Sequence, residues 1–92
     1  MTEEIKQVKE LIEAHQLDQA QQQLTRLIGQ QANSAELHYL SGLIYYKQQQ
    51  WGKAINAFNE ALALDPKHPD AQTHIDLANS ILGYFNPDMF NP

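Results

Sequence analysis

Apolar residues fall at Ile5, Val8, Leu11 and Ile12, with charged and amide side chains filling the positions between them. Spacings of three and four place these residues on one side of a helix, so a first helix is expected from about Thr2 to Ala14. Glu3 and Glu4 suit the positive N-terminal end of that helix. The pattern restarts with Ala20, Leu24, Leu27 and Ile28, which predicts a second helix with Asp18 as its N-cap and an end between Gly29 and the Asn33 region. Ser34 is expected to cap a third helix that reaches roughly Gln49. Gly52 sits at the start of a fourth, which ends near Leu64 before Asp65-Pro66. Pro69 occupies a first-turn position of a fifth helix, running to about Tyr84. In this last segment Ala71, Ile75, Ala78 and Leu82 form an apolar stripe beside a polar one of Gln72, Asp76, Asn79 and Gly83.

The stretch over residues 35–68, AELHYLSGLIYYKQQQWGKAINAFNEALALDPKH, adds specific slots to this periodicity. Gly42, Ala54 and Ala61 lack bulk, so two helix axes can approach there. Tyr45 and Phe58 fill the space around the contact, and Pro66 cannot continue a helix. These residues, in this order, resemble one complete tetratricopeptide repeat, with His38 where Trp is usual and Ser41 where Leu is common. At an offset of 34 residues the first third of the chain lines up without a gap: Leu11 on Tyr45, Leu17 on Trp51, Ala20 on Ala54, Leu24 on Phe58 and Ile28 on Leu62. Val8, Leu27 and Ala32 are degenerate slots, as suits a terminal unit. The resemblance implies an all-α fold, a short right-handed solenoid of two helical hairpins and a C-terminal capping helix. A single domain over 1–92 would divide into a divergent repeat (1–34), the signature repeat (35–68), the capping helix (69–85) and an aromatic tail (86–92).

Asp76 and Asn79 fall on the Gly42 and Tyr45 slots, which in a full repeat face a second helix. The fifth helix is therefore expected to close the stack with a polar face. In the tail, two Asn-Pro pairs forbid a continuing helix, yet Tyr84, Phe85, Met89 and Phe90 are large and apolar. This ending resembles the tails of small bacterial tetratricopeptide proteins. The expectation is that Phe85 and Phe90 fold back on the body of the chain or on a symmetry partner.

Composition narrows the classes of function. Ninety-two residues make one small domain with a modest core, and 42% apolar with 18% charged residues fits a folded protein. A formal net charge of −5 argues against nucleic acid and against an anionic membrane surface. With no Cys there is no disulfide, thiolate zinc site or Cys nucleophile. The opening MTEEIKQVKELIEAH has no apolar core of a signal peptide, and no run is long enough to span a membrane, so a cytoplasmic location is expected. Twelve Gln are interrupted by apolar residues at helical spacing and read as solvated helix faces.

Candidates for chemistry are few. His15, His38, His68 and His74 make no metal-binding spacing; His38 and His74 fall on neighbouring helices without a third ligand, so packed histidines are the expectation. No nucleophile elbow, phosphate-cradling loop or dinucleotide fingerprint occurs, and Ser34, Ser41 and Ser80 have no partners placed by motif. An enzyme is not expected, nor a cofactor or metal. The resemblance instead implies a concave groove lined by the first helix of each unit. Residue by residue, it carries over to Ile5, Lys9 and Ile12, then Tyr39, Leu43, Tyr46 and Lys47, then Thr73, Leu77 and Ser80. Tyr39 and Tyr46 are two helical turns apart and are expected to expose their rings to an extended or helical peptide, unless they and Leu43 merely complete the core. Some members of the family clamp acidic chaperone C-termini with Lys, Asn and Arg. Here Ile5, Leu43, Asp70 and His74 stand near those places with only Lys9 basic, so that partner is not implied. The expected function is non-catalytic binding of an unknown protein or peptide, as an adaptor or small regulatory subunit. The alternative is structural self-association, as a homo-oligomer, through the groove or the tail.

Overall fold

A computed structural model describes residues 2–31 and 33–85, with side chains as far as Gly83. The tail expectation and the Ala32 slot lie outside these residues. The described chain forms five helices: α1 (Thr2–Glu13), α2 (Leu17–Gln30), α3 (Ala35–Lys47), α4 (Trp51–Leu64) and α5 (Ala71–Phe85). Each helix packs against the next, and α1 also touches α3, so the helices stack around one continuous core.

The backbone repeats itself every 34 residues in detail. His15 and Gln49 both take positive φ, 59° and 62°. The following Gln16 and Gln50 amides reach back five residues to the Leu11 and Tyr45 carbonyls, both at 2.9 Å. His15 and Gln49 bond in turn to the Ile12 and Tyr46 carbonyls, both at 3.0 Å. This pair of bonds with a left-handed residue is the Schellman ending of a helix. It explains why α1 and α3 stop at Glu13 and Lys47, short of the expected Ala14 and Gln49. It also places Gln16 directly at the start of α2, without a side-chain capping bond. Asp18 is thus not the N-cap expected from sequence; it lies in the first turn, where its charge still faces the positive helix end. Ser34 does cap α3, its Oγ accepting from Leu37 N at 3.4 Å. Pro69 precedes α5 by two residues because the chain turns through Pro69 and Asp70 before regular helix begins at Ala71.

The contact between α3 and α4 is the most extensive and turns on Gly42. Phe58 is fully buried and its ring lies where a Gly42 side chain would be. In the first repeat Val8 and Leu24, both fully buried, hold the equivalent slots. A larger residue on one helix is there matched by a smaller one on the other. On α5, Ala71, Ile75 and Ala78 are buried while Gln72, Asp76 and Asn79 face solvent, as the two stripes require.

Candidate binding groove

The groove is built around a run of rings that joins α3, α4 and the start of α5. Tyr39 packs on His68 with centroids 4.6 Å apart, on Phe58 at 5.6 Å and edge-on to His74 at 5.6 Å. His74 also meets Phe58 and Tyr46, each at 5.5 Å, and Tyr46 meets Trp51 at 5.1 Å. Backbone carbonyls can only accept, so the His74 Nδ1 that lies 2.9 Å from the Asp70 carbonyl carries the hydrogen. The same nitrogen is 3.4 Å from the Tyr39 hydroxyl. His68 has the opposite arrangement. Its Nδ1 accepts from the Asp70 and Ala71 amides, both at 3.3 Å, and its Nε2 faces a Glu36 carboxylate oxygen at 3.5 Å.

Above this floor a cleft of about 410 Å³ runs between α1, α3 and the entry to α5. Ile12, Tyr39, Leu40, Leu43 and Pro69 give it an apolar base. Lys9, Lys47, Glu13, Glu36 and Asp70 bring both signs of charge to its edges. Lys9 Nζ lies 3.7 Å from Glu36 Oε1. Burial pushes the Tyr39 phenol up to about 12, and the neighbouring Asp70 and Glu36 charges push the same way. That hydroxyl therefore stays neutral throughout the physiological range and offers a hydrogen bond, not a charge.

Five of the ten residues expected in the groove line this cleft together: Lys9, Ile12, Tyr39, Leu43 and Lys47. Ile5 is half-buried against the core, and Tyr46 is half-buried between Trp51 and His74; neither lines the cleft. Thr73 and Leu77 lie on the exposed side of α5 beyond the cleft, as does Ser80, whose hydroxyl donates to the Asp76 carbonyl at 2.9 Å. The expected exposure of Tyr39 is not found. The residue is 8% exposed, because the histidines at 68 and 74 close over its ring from the α5 side. Sequence reasoning missed Glu13, Glu36, Leu40, His68 and Pro69 as lining residues; Asp70 and His74, set near the family's clamp places but not among the expected groove residues, line it too. His68 was within reach, because it falls on the capping residue Ser34 at the 34-residue offset.

A larger cavity, about 470 Å³, lies on the other side of α3 and contains none of the ten expected residues. Among the described residues no group of three or more His, Asp or Glu could hold a metal ion. No helix among them is long and apolar enough to cross a membrane. No curated protein and no solved structure matches the chain. The sequence model described as the tetratricopeptide repeat matches residues 5–69. With that match over most of its length, and with a helical backbone that repeats every 34 residues, the chain belongs to the tetratricopeptide repeat family.

Proposed function

We propose that the protein is a non-catalytic binding module, an adaptor or small regulatory subunit, that holds an apolar segment of a protein partner in the cleft along α3. Tetratricopeptide domains generally mediate protein–protein interaction. The observation that carries the finer reading is the convergence of Lys9, Ile12, Tyr39, Leu43 and Lys47 from two helices on one open trough. Leu43 is the half-exposed apolar contact, Tyr39 forms a rigid wall, and Lys9 and Lys47 orient the segment from the edges. Thr73 and Leu77 extend the same surface along α5, with Ile5 and Tyr46 supporting it from beneath. The units 1–34, 35–68 and 69–85 each contribute one helix to this surface, in the repeat division proposed from sequence.

The test is to select peptides on the wild-type protein from a displayed random library and to measure their binding to Leu43→Glu. Selected peptides should bind the wild type and lose at least tenfold on Leu43→Glu, about 1.4 kcal/mol, with helicity unchanged by circular dichroism. Peptides that bind both proteins equally would remove the cleft from the proposal. The alternative of self-association has its own support in Leu64 and Leu77, which are 44% and 46% exposed. A mass that rises with concentration in light scattering, and returns to the monomer on Leu77→Glu, would favour it.

A further inference from the structure

A cavity of about 470 Å³ lies between α2, α3 and α4, separate from the cleft along α3. Along α3, positions 38, 41 and 45 point about half a turn away from 36, 40, 43 and 47, at ~100° per residue. The two openings therefore lie on opposite sides of the helix. The cavity coincides with two places where residues 35–68 depart from the repeat signature. His38 and Ser41 stand where Trp and Leu are the usual residues, and both line it. A smaller, polar pair thus replaces two bulky apolar side chains on the cavity wall. Ser41 is 8% exposed, and the His38 ring is fixed by Glu60, with Nδ1 and Oε2 3.0 Å apart.

The chemistry around the opening is polarised. Lys53 Nζ stands 5.9 Å from the centroid of the Tyr45 ring at one end. The His38–Glu60 pair is two turns further along α4, about 10 Å away at ~1.5 Å per residue. Ile28 and Tyr45 supply apolar wall. We propose that this cavity binds a small aromatic carboxylate. Its ring would lie against Ile28 and Tyr45, in the space that an indole and an isobutyl group fill in the repeat signature, with its carboxylate on Lys53. A single negative charge fits better than a phosphate, because Glu60 shares the cavity and no arginine is there to balance a second charge. The proposal is independent of the peptide cleft.

The probe is indole-3-acetate, titrated into the full-length protein with backbone amide chemical shifts as readout. Indole and acetate are run separately as the two halves. Saturable shifts are expected at Ser41, Tyr45 and Lys53, and none at Leu43 or Lys47. Lys53→Gln should weaken indole-3-acetate about three- to fivefold, the worth of an exposed ion pair, and leave indole unchanged. Ser41→Leu and His38→Trp each restore the bulk of the signature and should abolish binding of both compounds while the melting temperature holds or rises. Either variant suffices if the other fails to fold. Shifts that do not saturate, that map to the peptide cleft, or that survive a folded refilling variant would overturn the proposal.

Discussion

A Cβ placed on Gly42 would stand 2.5 Å from Cδ1 of Phe58 and 2.9 Å from its Cζ, with Cε1 closer still. Side-chain carbon atoms do not approach so closely, so one of the two helices must move or the ring must turn. The ring has little room to turn, since it is fully buried with Tyr39 and His74 rings on it at 5.6 and 5.5 Å. Gly42→Val gains a few tenths of a kcal/mol in helix propensity, too little to offset overpacking at about 1–3 kcal/mol. The variant should therefore unfold at lower denaturant than wild type. Phe58→Leu alone leaves a void and also destabilises. The two together recreate the Val8 and Leu24 pairing of the first repeat, so their combined cost should be smaller than the sum of the single costs. Strict additivity in a denaturation double-mutant cycle would show that the two positions are not coupled.

This pairing also shows why so much of the fold was legible in the sequence. Gly42, Ala54, Phe58 and Ala61 are constrained by close approach, and a constraint of that kind leaves its mark on residue type. Helix periodicity and the cap at Ser34 were legible for the same reason. The candidate cleft was legible only in part. Lys9, Ile12, Leu43 and Lys47 follow from the repeat register, but the burial of Tyr39 depends on two histidines that reach it from the next unit. His68 and His74 are 29 and 35 residues away from it in the chain, and no local spacing rule joins them. The start of α2 was misplaced because a Schellman ending at His15, a residue without the usual glycine, left no sequence mark.

That ending yields a second prediction. Non-glycine residues in the left-handed region carry a cost of about 1–2 kcal/mol, and glycine forfeits about 0.5–1 kcal/mol through its greater freedom when unfolded. His15 and Gln49 are both exposed, so little packing is lost on replacing them. His15→Gly and Gln49→Gly should each stabilise by about 0.5 kcal/mol, a rise of roughly 2–4 °C in Tm for a domain of this size. Because the two turns share one geometry, the gains should have the same sign. Opposite signs in calorimetry would mean that the side chains contribute differently in the two repeats.

Tyr39 makes alkaline stability a third test. Its phenol is raised from 10.0 to about 12 by burial, with Asp70 and Glu36 adding to the shift. Below pH 10 both the folded and the unfolded chain keep the proton, so the contribution is fully present. Between about pH 10 and 12 the unfolded chain loses the proton while the folded chain holds it, and stability falls as pH rises. Denaturant midpoints measured at pH 9 and pH 11.5 should therefore drop further for wild type than for Tyr39→Phe. Every other residue is the same in both proteins, so the difference isolates Tyr39. Equal drops would place the Tyr39 hydroxyl in water.

The last prediction concerns how α5 is held in place. His68 occupies, one repeat later, the position of Ser34, and its ring performs the same task. Ser34 Oγ accepts from Leu37 N at 3.4 Å, and His68 Nδ1 accepts from Ala71 N, the equivalent amide, at 3.3 Å. The ring adds a second bond, from Asp70 N at 3.3 Å, and stacks on Tyr39 at 4.6 Å. These contributions separate by substitution. His68→Ala removes both the cap and the ring contact, and the cap alone is worth about 1 kcal/mol. His68→Ser keeps a capping acceptor for Ala71 and removes the ring with its bond from Asp70. The Ala variant should therefore be the less stable of the two by about 1 kcal/mol, and its amide at Ala71 should exchange with solvent much faster than that of the Ser variant. The cleft should follow the cap, because Asp70 and His74 are its α5-side wall and both sit within two turns of it. If the Ala and Ser variants prove equally stable with equal exchange at Ala71, the stacking on Tyr39 alone fixes α5 and the Nδ1 bonds are incidental.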